Sequence, residues 1–519
     1  MSTRTLVTVL ALAPAVAHAQ TPTDPFPDPI PAEEGVIRVN FEEFATIPDF
    51  NGAAPRVMHL VTEPGTRRMF AVNMQGPLYS ISYDGRSVVE YVNVNDPRWG
   101  VRVQSQGSER GIQSFAFHPQ FAQAGAPGYG KFYVWTDSEN IEPTPDFTPL
   151  GGGDTHDTVL LEFTARNAAA ATYDGGAPRE LMRFQQPYNN HNAGQLAFNP
   201  LAETNTPDFG LLYIGVADGG SGGDPNNHAQ NLANGFGKIF RIDPLGSNSS
   251  NGKYGIPASN PFASDNNPAT LGEVYAYGVR NPQRFAWDSR TGTMFFTDIG
   301  QNTVEKLSVV TSGANLGWNV WEGSYRYIPN APGGAGRAAA GGAGAAGGRA
   351  GGGGGGAARG GAAGGRAAAG GRGGGGGGGG ARGVALEGPR ADRTVTYPIA
   401  EYAQIDPLLQ NQSAASGLIV YRSDEIPQLA NLIIWGDNPS GELFYVSADR
   451  LPTGGQSQIR RILLNDGGTA KTLLQLIQAK NTAQGRTPAT RVDMRIGHGP
   501  EGQVLLLNKR DGIIRMLVR

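Results

Sequence analysis

The chain contains no cysteine, so neither disulfides nor thiolate metal sites can hold it together, and its 519 residues must be stabilised by a large apolar core. No stretch approaches the roughly 18 uninterrupted apolar residues of a membrane-spanning helix, which argues against a span. An excess of one charge is missing as well. With 42 Lys and Arg against 45 Asp and Glu, the formal net charge is −3 and the isoelectric point about 6.2, which argues against nucleic acid as a partner. Small molecules are the ligands that remain.

Two segments stand apart by composition. Residues 1–19, MSTRTLVTVLALAPAVAHA, place an arginine before an apolar run and end in Ala-His-Ala, the small-x-small pattern of a secretory signal. The mature chain is therefore expected in the periplasm or outside the cell. From about 331 to 382 the chain is nearly all Gly and Ala with scattered Arg, holding 28 of the 77 glycines. Such a segment has little side chain to bury and loses much backbone entropy on ordering, so it reads as a disordered insertion. No aromatic residue interleaves its arginines, so it reads as a solvated spacer rather than an RNA-binding tail.

The rest of 20–519 reads as one all-β domain. A unit of apolar strand, Gly-containing turn and aromatic-rich strand recurs six times: "RMFAVNMQGPLYSISYDG", "SFAFHPQFAQAGAPGYGKFYVWTD", "QLAFNP" with "GLLYIGVADGG" and "GKIFRIDP", "RFAWDSRTGTMFFTDIG", "LANLIIWGDNPSGELFYVSAD" and "GPEGQVLLLNKRDGIIRMLV". Small antiparallel sheets repeated in this way close most economically around an axis, which predicts a six-bladed β-propeller rather than tandem sandwiches. In that fold the loops entering the innermost strands form a funnel at one end. His191 precedes "GQLAF", Glu109 and Arg110 precede "GIQSFAF", Arg280 and Asn281 precede "PQRFAW", and Gly300 and Gln301 follow "FTDI". A histidine, two arginines, a glutamate and an exposed-backbone turn converging on one funnel suit an anionic cofactor or polar substrate.

The motifs "GSERGIQSFAFHPQF", "HNAGQLAF", "LLYIGVADGGSGGDPNNHAQNLANGFGKIFRIDP" and "YAYGVRNPQRFAWDSRTGTMFFTDIGQNTVEKL" resemble the soluble glucose/sorbosone dehydrogenase family. The resemblance is strong over 55–322 and weaker over 417–518. It implies a six-bladed propeller that oxidises aldose sugars at C1 to the lactone with pyrroloquinoline quinone and Ca²⁺. By motif, His191 falls on the family's general base, and Arg280 and Asn281 on its quinone-binding pair. Gly300 and Gln301 fall on the turn whose carbonyls hold calcium, and Arg491 and Arg495 lie near its cofactor-binding arginines. Asn190 and Glu109 stand where glucose dehydrogenases carry an acid and a glutamine, so both are expected against the substrate. The family's clamp lysine is missing from "GDNPSGELF".

Other polar residues read more plainly. Asp218 and Asp224 in "DGGSGGDPNN" are expected to shape a funnel loop, because a single copy of a Gly/Asp calcium repeat lacks the stacking such repeats need. His118 is expected to be structural, and His228 and His498 show no metal-ligand spacing. A second reading of the chain is a non-catalytic binding propeller, since the same motifs resemble hedgehog-interacting proteins. A third, a metal-dependent lactonase, needs an axial Glu/Asn/Asp set that the sequence does not assemble.

Overall fold

The computed structural model describes residues 24–139, 144–192, 194–327, 388–409 and 412–519. The expected signal segment and the Gly/Ala/Arg insertion lie outside them. The regular secondary structure is almost all strand. Four antiparallel four-stranded sheets form from Val57–Thr62 to Val88–Asn93, Ile112–Phe117 to Arg179–Gln186, Leu196–Phe198 to Val274–Tyr277, and Pro282–Trp287 to Ala400–Ala403. A nine-stranded sheet contains everything from Ala415–Tyr421 onward, together with the early strand Ile37–Thr46.

Inner strands of neighbouring sheets lie side by side. Val57–Thr62 packs on Ile112–Phe117, that strand on Leu196–Phe198, and Leu212–Val216 of that third sheet on Pro282–Trp287. Pro282–Trp287 packs on Ala415–Tyr421, which packs on Arg495–His498, and this last strand returns to Val57–Thr62. The result is a closed, propeller-like ring. Sheets stacked face to face about a ring are covered on both sides, so strands read as nearly continuous apolar runs instead of alternating ones. Ile112–Phe117 is buried at every position, and His156–Thr164 at all but its last. Between sheets the filling is aromatic: Phe70, Phe115, Phe117, Phe132 and Phe163 fill one gap, Trp135, Phe184, Phe236 and Phe240 the next.

The ring is closed by a strand from the far end of the chain. Ile37–Thr46 pairs parallel with Arg460–Asp466 on one side and antiparallel with Ile513–Val518 on the other. Apart from three single-turn 3₁₀ helices, one element departs from the all-strand expectation. Leu473–Ala483 is an α-helix whose capping box joins the Thr472 hydroxyl to the Gln475 N–H and the Gln475 side chain back to the Thr472 N–H. Leu473, Leu476 and Ile477 bury its apolar face. The signal was present as T-x-x-Q followed by an i, i+3, i+4 apolar pattern.

Candidate active site in the funnel

In an antiparallel sheet the start of the first strand and the end of the second lie at the same edge. The loops entering Ile112–Phe117, Leu196–Phe198, Pro282–Trp287 and Arg495–His498 therefore meet those leaving Leu212–Val216, Met294–Asp298 and Val504–Leu507. This geometry gathers the polar residues of distant repeats.

His191 sits at the centre, only 5% exposed and with φ +59°. A non-glycine residue in that left-handed conformation needs outside support. Two carboxylates supply it. The His191 N–H donates to Glu109 Oε2 at 2.8 Å, and its Nδ1 lies 2.6 Å from Asp218 Oδ1. Asp218 follows the strand Leu212–Val216 and also accepts from Gly220 N at 2.9 Å and from Trp318 Nε1 at 2.8 Å. Burial opposes its ionisation, but His191, the Arg280 charge and the Gly220 N–H outweigh burial and hold the carboxyl below its ordinary range. An ionised carboxylate only accepts, so Nδ1 is the ring nitrogen that carries a proton toward Asp218, and Nε2 is the one left to exchange a proton with a ligand. Asp218 is thus more than the loop-shaping residue expected from sequence.

Arg280 is fixed by three of its nitrogens. Nε and Nη2 donate to Gln301 Oε1 at 3.1 and 3.0 Å, and Nη1 donates to the Ile299 carbonyl at 3.2 Å. Its guanidinium lies over the Trp318 ring, 5.6 Å from the centroid. The Arg280 and Asn281 N–H groups donate to Asp298, which pairs with Lys306 at 2.8 Å. Asn281 Oδ1 is buried and has no partner among the described residues. Gln301, expected to serve through its backbone, also uses its side chain: Oε1 accepts from Gly223 N at 2.8 Å and so ties Arg280 to the loop after Asp218.

The Gly300–Gln301 turn is shaped by Glu322, whose Oε1 accepts the N–H groups of Gln301, Asn302 and Thr303 at 2.6 to 2.8 Å. A Cβ at Gly300 would lie 1.8 Å from the Val304 carbonyl oxygen, so only glycine fits. No cluster of three or more His, Asp or Glu side chains suited to a metal occurs among the described residues. Any cation at this turn would depend on carbonyl oxygens, the hard donors that suit Ca²⁺.

Asn190 does not contact His191 through its side chain; its Oδ1 accepts from Ser221 N at 3.1 Å. Asp224 staples its own loop, accepting the His228 and Ala229 N–H groups at 2.8 Å. His118 is structural as expected, its Nδ1 accepting from Gln120 N; His228 bridges the Asp218 carbonyl and Leu150 N, and His498 bonds the Leu418 carbonyl.

"GDNPSGELF" holds no lysine, but one from the last repeat comes close to the funnel. Lys509, at the end of the penultimate strand, donates to the Ser108 carbonyl at 3.2 Å, next to Glu109. Burial pushes its ammonium well below its ordinary range, and Arg495, Arg56 and Arg491 push in the same direction. Asp493 faces this cluster, paired with Arg491 at 2.7 Å and with Arg510. Four arginines and Lys509 around Asp493 and Glu109 leave a deficit of negative charge, which a ligand with several carboxylates would fill. Arg491 belongs to this cluster through Asp493. Arg495 is buried deeper and bonds the Met494 carbonyl at 2.7 Å, and the cluster reaches His191 through Glu109, whose charge acts on Arg495.

The glucose/sorbosone dehydrogenase family model matches residues 54–343, more than half of the chain. The chain belongs to this family. Among curated relatives, the HIPL1 protein of Arabidopsis thaliana is 34% identical over 256 residues, covering 44% of this chain and 35% of the relative. The chain thus spans well under half the length of that relative. Among solved structures, the apo-form soluble aldose sugar dehydrogenase of Escherichia coli superposes with a TM-score of 0.55 at 16% identity, covering 92% of this chain and 99% of that one. The pyrroloquinoline quinone (PQQ)-bound aldose sugar dehydrogenase of Streptomyces coelicolor gives 0.50 at 15% identity, covering 93% and 97%. These likenesses describe the fold of this family member. No helix among its described residues is long and apolar enough to cross a membrane.

Proposed function

We propose that the protein is a PQQ- and Ca²⁺-dependent aldose dehydrogenase that oxidises the sugar at C1 to the lactone. The observation that carries this reading is the Asp218–His191 dyad, in which the carboxylate 2.6 Å from Nδ1 leaves Nε2 as the ring nitrogen free to exchange a proton beside a cluster of cations. Arg280, Asn281, Arg491 and Lys509 would hold the quinone's oxygens and carboxylates, and the Gly300 and Gln301 carbonyls would hold Ca²⁺. When bound, the quinone supplies the two-electron acceptor for the hydride that leaves C1. His191 Nε2 takes the proton of the C1 hydroxyl, and Asp218 stabilises the resulting imidazolium. Glu109 and Asn190 fix the backbone around the base and lie where a sugar would enter.

The ring is read as six-bladed by dividing the nine-stranded sheet at its parallel seam, a division supported by the unbroken antiparallel order on either side. The sequence leader supports a periplasmic or secreted location. A binding-only propeller is the second reading, favoured by the likeness to HIPL1. Adding PQQ and Ca²⁺ to the purified protein and following dye reduction across an aldose panel separates the two, since turnover on no sugar would sink the dehydrogenase.

Three expected results follow from this reading. Lys509→Met weakens PQQ binding by about 10- to 100-fold, the worth of one charge-assisted hydrogen bond, without lowering the melting temperature, because the lost cation was buried and under-compensated. A quinone titration and a thermal melt read the two arms. Exhaustive chelation abolishes activity, and Ca²⁺ with cofactor restores it; Mg²⁺ restores little, because it demands a tighter octahedron. Finally, deleting 331–382 shifts the melting temperature by only a few degrees, since loop closure cost changes slowly with length. The flanks are joined independently of that segment, through Arg390 N to the Ser324 carbonyl at 2.9 Å and Arg390 Nε to Ser324 Oγ at 2.7 Å. A collapse of folding would show that the insertion is structural.

A further inference from the structure

Below the funnel, the innermost strands turn an unusual set of side chains toward the axis. Arg284 of Pro282–Trp287 and His59 of Val57–Thr62 come from strands separated around the ring, yet Arg284 Nη2 donates to the Met58 carbonyl. The guanidinium therefore crosses the axis. Its Nη1 donates to the Gln283 carbonyl at 2.6 Å, while its Nε has no partner among the described residues. Arg495 of the strand Arg495–His498 likewise has an unpartnered Nε, and both His59 ring nitrogens are unpartnered. Arg284, Arg495 and His59 are 2%, 4% and 4% exposed.

The charge balance is one-sided at Arg284 and His59, whereas Arg495 is also faced by Asp493 and Glu109. Burial lowers the affinity of Arg284 for its proton, and the one charged neighbour acting on it among the described residues is Arg495, which repels it. His59 is held well below its ordinary range by burial and then by Arg284, His498 and Arg495, all of one sign. Water could satisfy the unpaired N–H groups, but it cannot neutralise a buried guanidinium that has no carboxylate.

We propose that one small monovalent inorganic anion, of halide or nitrate size, binds near the ring axis between Arg284, Arg495 and His59. The unpaired Arg284 and Arg495 Nε–H groups and one His59 ring N–H are its donors. The site shares Arg495 with the cationic cluster of the funnel but does not depend on the dehydrogenase reading. Because Arg495 also faces the cationic cluster, the anion must be distinguished from a cofactor carboxylate.

Crystals of the full chain soaked in sodium bromide, with and without PQQ and Ca²⁺, test this by anomalous scattering. One bromide peak within hydrogen-bond reach of Arg284 and His59 in both crystals is expected. Peaks at surface positions alone, or an axial peak that vanishes when the quinone binds, would overturn the proposal. In solution, replacing gluconate by chloride at constant ionic strength should raise the melting temperature by about 2 °C, the effect of a ligand that binds only the folded state. Arg284→Met should abolish that rise. Should this variant fail to fold, His59→Phe keeps the guanidinium and should weaken the chloride effect by about tenfold in midpoint concentration, the loss of one hydrogen bond to a charge. An undiminished chloride response in the folded variant would count equally against the site.

Discussion

His191→Gln lowers the turnover of the PQQ- and Ca²⁺-loaded protein by about 10²- to 10⁴-fold, the usual share of a positioned general base. Glutamine keeps nearly the same length and can still hydrogen-bond, but it cannot take the proton of the C1 hydroxyl. The pocket should survive, because the Glu109 contact uses the residue 191 backbone N–H, which the substitution leaves in place. Quinone affinity should therefore stay within a few-fold, judged from the absence of lost ligand contacts. The measurement is turnover with dye as acceptor beside a quinone titration of the same variant. Near wild-type turnover in a variant that binds quinone would reduce His191 to a loop residue.

Asp218→Asn is expected to cost about 10²- to 10⁴-fold in turnover, by analogy with the loss of an orienting carboxylate behind a catalytic imidazole. An amide in that place can donate to Nδ1, which would move the ring proton to Nε2 and remove the lone pair the reaction needs. It also leaves the imidazolium without its counter-charge. Unlike His191→Gln, this variant should also lose stability, since Asp218 accepts from the His191 ring, Trp318 and Gly220 within the buried floor of the funnel. The diagnostic reading is the imidazole tautomer, followed by ¹⁵N chemical shifts of His191: a shift of the proton from Nδ1 to Nε2 supports the positioning role. An unchanged tautomer with full turnover would remove Asp218 from the mechanism.

Much of this site was legible because the fold converts a local pattern into a place. Polar residues immediately before an inner strand face the funnel, so His191, Arg280 and Asn281 could be picked out one repeat at a time. Their partners could not. Asp218 and Gln301 sit at the exits of second strands, and which exit meets which entrance depends on the ring's packing, not on any local motif. Lys509 was missed for the same reason: it reaches the Ser108 carbonyl across some 400 positions of sequence. The strands themselves were visible through their aromatic runs and Gly turns, whereas the pairing of Ile37–Thr46 with Arg460–Asp466 and Ile513–Val518 left no trace in either segment. The helix Leu473–Ala483 was overlooked although its capping box stood in the sequence, because the surrounding repeats favoured a strand reading.

That early strand explains how a cysteine-free protein can be durable. With Ile37–Thr46 laced on both sides, each sheet of the ring has two neighbours and none of them is a loose end from which melting could spread. Opening must first tear the seam, and the work of doing so falls on the unfolding barrier more than on the balance between folded and unfolded chains. The two ends of the ordered chain act as a clasp, so the molecule's lifetime is set by how often ten residues near its beginning let go of strands near its end.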